Sequence, residues 1–298
     1  MPGAPDIFDR RAVRAHRERA APALADHDFL FNAVGEMLVD RLDDVRRDFP
    51  LALDLGCHGG QMGALLGGRG AIGGLVQCDL SYRMVRRAGR LAVVADEEFL
   101  PFAEASFDLV LSCLSLHWVN DLPGSLIQIR RVLKPDGLFL GALFGAGSLG
   151  ELRAALHQAE ELEAASGAPR ISPFADIRDA GALLQRAGFA LPVADRDRLM
   201  VSYGDPYKLM RDLRGMGETN ALGARRRNFT GRNTLAAAAD HYTAMHGDAD
   251  GRIPASFEIL LLTGWAPHAD QPKPAAPGSA TARLADALRE DGGQPPDG

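Results

Sequence analysis

Apolar and polar positions follow two different periods along the first half of the chain. From Phe29 to Val45 apolar side chains recur every three or four residues, which predicts an amphipathic helix. Short apolar runs predict buried strands at 51–55, 72–78, 91–95, 107–113 and 138–144. Helical patterns separate them at 61–66, 81–88 and 122–133. Alternation of strands and helices indicates right-handed βαβ units and a parallel sheet.

The second half continues with helical patterns and two further apolar stretches. Helices are predicted at 151–165, 177–187, 207–213 and 234–245, a strand or irregular hairpin arm at 189–203, and a last strand at 256–265. Lys134-Pro135-Asp136-Gly137 predicts a turn before the fifth strand. We therefore expect an α/β protein with a doubly wound, mostly parallel seven-stranded sheet. Its parts are predicted as an N-terminal helical cap (1–48), a ligand-binding core (49–145), a C-terminal part of the same domain with substrate-side insertions (146–266) and a disordered tail (267–298).

A glycine-rich turn follows the first predicted strand. It reads Asp54-Leu55-Gly56-Cys57-His58-Gly59-Gly60. Small residues let backbone N–H groups approach a ligand closely at a helix N-terminus. The dinucleotide fingerprint begins with Gly where this chain has Asp54, and an acid there suits a ligand with a positive charge, such as a sulfonium. The alternative is an ordinary strand-to-helix turn.

Three predicted strands end in an acid at the same edge of the sheet. They are Asp54, Asp79 and Asp96. Asp79 lies 25 positions after Asp54 (79−54), close to where an α/β nucleotide site places its ribose-binding carboxylate. Asp96 is then placed to reach an exocyclic amine of a base. Each acid alone could equally cap a helix, but the three together favour a nucleoside-containing ligand.

Composition narrows the function classes. The chain has 298 residues, 46% of them hydrophobic, and a net charge of −6, which argues against nucleic acid or an anionic membrane surface as the main partner. No apolar run reaches the about eighteen residues that a membrane span needs. The three cysteines fall at or near predicted strands and fit reduced, buried thiols. No signal or clear transit peptide is visible, and the sequence predicts a cytoplasmic protein.

These motifs together resemble those of class I S-adenosylmethionine-dependent methyltransferases. The resemblance covers about residues 30–145. Its motifs are the 54–60 turn, Asp79, Ala95-Asp96, Leu100-Pro101-Phe102, Ser106-Phe107-Asp108-Leu109-Val110, His117-Trp118 and Lys134-Pro135-Asp136-Gly137. It implies a Rossmann-like fold and S-adenosyl-L-methionine as cofactor.

Longer strings carry a narrower resemblance, which reaches to about Trp265. The strings are Ile7-Phe8-Asp9-Arg10, residues 95–102, residues 114–123, Ile171-Ser172-Pro173-Phe174 and Gly215-Met216-Gly217-Glu218. They resemble the mitochondrial respiratory complex I assembly factor of methyltransferase fold and its bacterial relatives. That family is understood to bind S-adenosylmethionine and to hydroxylate an arginine of the complex I subunit that carries the last iron–sulfur cluster. The resemblance implies a protein substrate, which would be that subunit.

The resemblance also implies a set of cofactor-binding residues. Asp54, Gly56, Gly59 and Gly60 would line the methionine and ribose part, Asp79 would take the ribose hydroxyls, and Asp96 and Glu97 would lie at the adenine. The expected set further includes Cys57, His58, Leu80 and Leu114. The family's loop has Gly where this chain has His58, and we expect the imidazole either to tilt out to solvent or to narrow the cleft and weaken binding.

His117 and Trp118 are the candidate catalytic residues. Histidine titrates near neutrality and can contact substrate or move a proton, whereas Trp118 could stack on a guanidinium or on adenine. Both could instead be structural. We expect no metal site, because His246-Gly247-Asp248 and His268-Ala269-Asp270 lie far in sequence from the cofactor motifs.

Three functions stay open at this point. The first is an S-adenosylmethionine-binding enzyme that modifies an arginine of a complex I subunit, by hydroxylation or methylation. The second is an O-methyltransferase for a small or carrier-bound acid, of the malonyl-carrier type in biotin synthesis. The third is a non-catalytic assembly module. Arg225-Arg226-Arg227 could dock an acidic partner or be a solvated loop.

Overall fold

The structure, a computed structural model, describes residues 6–162, 169–172, 174, 176–226 and 230–272. The described residues up to Pro267 belong to one compact unit, and the short stretch 268–272 belongs to a second. Three predicted features lie at least partly outside the described residues: the end of the 151–165 helix, the basic run at 225–227, and most of the tail.

Seven strands form one sheet in the order β3-β2-β1-β4-β5-β7-β6. The strands are β1 Leu51–Leu55, β2 Gly74–Asp79, β3 Ala92–Val94, β4 Phe107–Cys113, β5 Leu133–Phe144, β6 Ala190–Tyr203 and β7 Ile253–Trp265. The pairs from β3 to β5 are parallel, and β7 lies antiparallel between β5 and β6. The prediction of a mostly parallel, seven-stranded sheet is confirmed.

Helices cover the sheet on both faces. They are α1 Arg10–Ala20, α2 Phe29–Asp43, α3 Gln61–Leu66, α4 Tyr82–Val85, α5 Leu122–Val132, α6 Gly150–Leu162, α7 Ile177–Arg186, α8 Pro206–Met216 and α9 Arg232–His246. Successive residues of β4 alternate between the two faces: Leu109 and Leu111 join the core under α2, and Val110 joins the core under α5 and α7. This alternation explains why the strands read as continuous apolar runs.

The predicted turn at Lys134–Gly137 is wrong. β5 already begins at Leu133, opposite Phe107, and the next pairs join Leu109 with Leu138. The extra residues form a bulge within the strand, with Asp136 at a φ of 62°. A bulge uses the same Pro, Asp and Gly residues as a turn, because both need backbone conformations that leave the regular strand. Sequence spacing alone does not distinguish the two.

Helices α1 and α2 form the N-terminal layer. Asp9 caps α1 by accepting from the backbone N–H of Ala12 at 3.1 Å. The buried face of α1 carries Val13, Arg17 and Ala20. An arginine therefore occupies a position at which the helical period places an apolar side chain, and this helix packs against the edge of the sheet where the three acids lie.

Candidate functional site

β1, β2 and β4 bring most of the predicted cofactor residues to one edge of the sheet, at the switch point where chain order reverses. The 56–60 turn joins β1 to α3. The backbone N–H groups of Gly56 and Cys57 donate to the carbonyl of Cys78 at 2.8 and 2.9 Å. Gly56 has a φ of +71°, and a Cβ there would lie 2.0 Å from Ser115 Oγ. Glycine is therefore required at this position for both conformation and space.

The remaining loop residues turn inward. Gly60 begins α3 with a φ of +93°, and a Cβ on Gly59 would lie 2.8 Å from Leu24. The His58 ring stacks on Phe31 with 4.2 Å between centroids. Its Nε2 lies 3.1 and 3.2 Å from the carbonyl oxygens of Cys113 and Leu114, so this nitrogen carries the hydrogen and donates.

The His58 imidazole is therefore buried and does not tilt out to solvent. Burial lowers the pKa of His58, which favours the neutral imidazole. The same turn buries Cys57, and burial raises the pKa of Cys57, Cys78 and Cys113 well above the usual range. The three cysteines are free thiols that are inert as nucleophiles.

Asp54 lies fully buried at the end of β1. Its Oδ2 accepts from Gln77 Nε2 at 2.9 Å, whereas Oδ1 has no partner among the described residues. Burial raises the pKa of Asp54 to about 7, and the nearby Asp79 adds to the effect. A buried acceptor without a partner suits a ligand ammonium. This observation fits the methionine end of S-adenosylmethionine.

Arginines of α1 already occupy the other acids of this edge. Asp79 Oδ1 accepts from the backbone N–H of Ser81 at 2.7 Å, and Oδ2 accepts from Arg17 Nη1 at 3.2 Å and from the backbone N–H of His58 at 3.2 Å. Arg17 Nη1 also reaches Glu97 Oε1 at 2.8 Å. The ribose hydroxyls expected at Asp79 would compete with this guanidinium.

Glu97 is the centre of the ion-pair network. Ser115 Oγ donates to Glu97 Oε1 at 2.5 Å and accepts from Arg17 Nη2 at 2.9 Å. Arg10 donates to Glu97 Oε2 and, at 2.6 Å, to Asp96 Oδ1. Burial by itself would raise the pKa of Glu97, but the two arginines outweigh it and hold that pKa well below its usual range. Asp96 and Glu97 are thus joined to helix α1 by ion pairs with Arg10 and Arg17.

The segment after β4 carries the two candidate catalytic residues. Leu114 leaves the strand with a φ of 48°, and His117 and Trp118 follow in a short 3-10 helix, both buried. Leu80, after β2, packs with Trp118 in a small apolar cluster. The structure therefore places the predicted catalytic pair beside the arginine network, since Arg10 Nη1 also donates to the carbonyl of Trp118 at 3.2 Å.

Both candidate side chains converge on Glu218. Its Oε2 lies 2.9 Å from Trp118 Nε1 and 3.0 Å from His117 Nε2. Burial by itself would raise the pKa of Glu218, but the interactions with His117 and Arg17 outweigh this effect, and the net pKa lies below its usual value. Because an ionised Glu218 only accepts, His117 carries a hydrogen on Nε2. His117 Nδ1 is buried without a partner among the described residues.

Beside Trp118 and Glu218 lies a cavity of about 400 Å³. Its walls are mostly aliphatic and aromatic, contributed by the 3-10 turn, β5, β7 and helices α6, α8 and α9; they include Trp118, Phe144, Leu149, Leu152, Phe174, Met210, Leu213, Leu235 and Phe257. Glu218 is the carboxylate on its wall, and Arg170 and Arg214 also line it. This volume lies within the range of small-ligand pockets.

Sequence reasoning missed Arg17, Arg10 and Glu218 as members of the site. Arg17 had a signal: it follows Val13 by four positions and precedes Ala20 by three, so it falls on the apolar face of α1. Glu218 appears in a string that supports the family resemblance, but nothing in its own neighbourhood indicates that it meets His117, 101 positions away.

Comparison with known proteins gives the family. A methyltransferase-domain model matches residues 53–141. The arginine-hydroxylase NDUFAF5, mitochondrial, of Homo sapiens is 44% identical over 93% of this chain and 81% of its own length. The protein of the same name from Rattus norvegicus is 43% identical over 97% and 85%. The chain belongs to the NDUFAF5 family.

Members of a second enzyme family are more distant. The malonyl-[acyl-carrier protein] O-methyltransferase of Xylella fastidiosa is 35% identical over 89% of this chain and 90% of its own length. Among solved structures, YcgJ of Bacillus subtilis superposes with a TM-score of 0.55 at 15% identity, covering 79% of this chain and 99% of that one. A phosphoethanolamine N-methyltransferase of Haemonchus contortus, solved with S-adenosyl-L-methionine, gives 0.53 at 14%, covering 86% and 60%. These structures establish the class I methyltransferase fold.

The expectation of a cytoplasmic protein is wrong on this comparison. Five NDUFAF5 relatives with 34–45% identity carry the word mitochondrial in their names. Absence of a visible leader is weak evidence of location, because a leader is an address and not part of the fold. Among the described residues, no helix combines the length and the apolar character that crossing a bilayer requires. Nor does any group of three or more His, Cys, Asp and Glu side chains within the described ranges offer a metal site.

Proposed function

We propose that this NDUFAF5-family chain is an S-adenosylmethionine-binding enzyme that modifies an arginine side chain of a protein substrate, by hydroxylation, and that the substrate is a subunit of respiratory complex I. One observation carries the proposal: Glu218, a buried carboxylate with a lowered pKa, lies on the wall of the cavity beside His117 and Trp118. A carboxylate in this position attracts a cationic guanidinium.

Each residue has a defined part in this proposal. Glu218 neutralises and orients the substrate guanidinium, and Trp118 offers an aromatic face next to it. His117 holds its hydrogen on Nε2 toward Glu218, which keeps that carboxylate in place and leaves Nδ1 as the nitrogen that can accept a proton. The apolar walls of the cavity exclude water and receive the side chains that flank the substrate arginine.

The donor set of the sheet edge supports the cofactor. Asp54 would hold the ammonium, Asp79 the ribose hydroxyls, and the 56–60 turn would pass closely beside the methionine portion. S-adenosylmethionine, when bound, supplies an activated methyl group on a sulfonium. Hydroxylation needs other reactants: one atom of dioxygen enters a C–H bond of arginine, and the other leaves as water with two electrons and two protons from a reductant.

A carrier-bound acid is the second candidate, and the apolar cavity is what favours it, because an acyl chain would fit there. Glu218 argues against it, since a malonyl carboxylate would lie next to a buried negative charge, whereas Arg170 and Arg214 on the same wall would attract that carboxylate. The non-catalytic alternative draws its support from Arg17, which occupies the cofactor acids.

Two measurements test the proposal. Calorimetry with S-adenosylhomocysteine should give binding; no binding at millimolar ligand would favour a non-catalytic module. Mass spectrometry of complex I subunits from cells with and without the gene should show one arginine peptide heavier by about 16 Da only when the gene is present. A difference of about 14 Da would indicate methylation, and unchanged masses with normal complex assembly would contradict the proposal.

A further inference from the structure

α1 closes the site proposed for the cofactor with its own side chains. Arg17 is 1% exposed and bridges Asp79 and Glu97, at 3.2 and 2.8 Å. Arg10 binds Asp96 and Glu97 from the same helix. The carboxylates expected to hold the ribose and the adenine are thus neutralised within the chain.

The buried guanidinium of Arg17 leaves too few acceptor positions on Asp79 for both ribose hydroxyls. The Asp79 carboxylate offers about four acceptor positions, and two backbone N–H groups and Arg17 already take three of them. Arg17 Nη2 also caps Ser115 Oγ, directly beside Gly56, where a Cβ would find no room. One position remains, so a nucleoside whose two vicinal ribose hydroxyls both donate to Asp79 has to displace Arg17.

The same helix touches the substrate side. Gly217, at the end of α8, faces the backbone of Arg17, since a Cβ there would lie 3.5 Å from Arg17 Cα. His16 Nδ1 lies 3.0 Å from the carbonyl oxygen of Thr219, and Glu218 stands between these two contacts. A displacement of α1 would therefore change the contacts of residues 217–219, which include Glu218.

We infer that α1 is a gate, in which Arg17 competes with S-adenosylmethionine for Asp79 and Glu97 and must withdraw before the cofactor binds. The inference rests on the proposed function, because it assumes that this cofactor uses the site. If only a small fraction of the molecules has α1 open, the apparent affinity for the cofactor is lowered in proportion to that fraction. Release of α1 also frees the 217–219 segment, so cofactor binding prepares the cavity for substrate.

The test is calorimetry with S-adenosylhomocysteine on the full chain and on Arg17→Met. The methionine keeps a long side chain but cannot hold the carboxylates, so the variant should bind at least about tenfold tighter. Arg14→Met is the matched control: it lies on the same helix, is exposed, and should bind like the unchanged chain. Equal or weaker binding by Arg17→Met would overturn the gate and leave the proposed cofactor standing. No binding by either protein would overturn both.

Hydrogen exchange on the unchanged chain provides a second test if Arg17→Met does not fold. The amides of α1 should exchange at least about tenfold faster with saturating S-adenosylhomocysteine, whereas those of β1 and β4 should be further protected. Unchanged or slower exchange in α1 together with protected strands would show that the cofactor binds under a closed helix, and would overturn the gate.

Discussion

Two neighbouring recesses of this molecule are filled in opposite ways. At the sheet edge, arginines of α1 neutralise the acids around Asp79 and Glu97, whereas the cavity beside Trp118 stays open. Burying a carboxylate without a partner costs several kcal/mol. Pairing these acids with arginines of the same chain avoids that cost. The charged recess is therefore filled by side chains of the chain itself, whereas the walls of the other recess are mostly apolar.

The charged recess should be the more sensitive to a single change. Asp79→Asn removes the charge and one of two acceptor oxygens, which leaves Arg17 or a backbone N–H of His58 or Ser81 unpaired. We expect the free energy of unfolding to fall by about 3–5 kcal/mol in urea titrations without ligand. Asp195→Asn, at an exposed pair with Arg41, is the control and should cost less than about 1 kcal/mol. Similar losses in the two variants would contradict the comparison.

Asp54 gives the charged recess a dependence on pH. Burial raises its pKa to about 7, well above that of an exposed aspartate, so the folded chain keeps a proton that the unfolded chain releases. Stability from this group is present below about pH 4 and is lost as the pH rises to about 7. The Asp54→Asn variant has no titrating group at this position. Its free energy of unfolding, relative to that of the unchanged chain, should therefore rise by about 2–4 kcal/mol from pH 4 to pH 8. Urea titrations at several pH values would show this gain, and a constant difference would contradict it.

Glu218 is where the two recesses meet, and its charge should matter for activity more than for cofactor binding. Glu218→Gln keeps the shape but removes the attraction for a guanidinium, and we expect kcat/KM for arginine modification to fall about 10- to 100-fold. S-adenosylhomocysteine affinity should change little. Glu161→Gln, exposed at the end of α6, is the control and should leave activity unchanged. An active Glu218→Gln would remove the observation on which the proposed substrate class depends.

The cavity beside Trp118 should tolerate amino-acid substitution best. Leu235→Trp adds volume into the cavity, so it should raise KM for the protein substrate by about three- to tenfold and change stability by less than about 1.5 kcal/mol. Calorimetry should show unchanged cofactor affinity. Ile127→Trp, on an exposed position of α5, controls for the added indole. A large loss of cofactor affinity in Leu235→Trp would show that the two recesses are one site.

The sequence by itself determined the sheet and the edge at which the three acids lie. Strand periodicity, the 54–60 turn and acids at three strand ends are local features, and each remains where its own neighbours in sequence put it. The bulge at 134–137 marks the limit of such reading, because turn and bulge draw on the same residues.

Only the tertiary structure decided what the acids bind and where the cavity lies. Arg17 is 62 positions from Asp79 and 80 from Glu97, and Glu218 is 101 from His117. No local pattern fixes such pairs; they form because buried charges must find partners wherever packing brings them. The pairing of Arg17 with these acids and of Glu218 with His117 is therefore visible only once helices α1 and α8 have packed against the sheet.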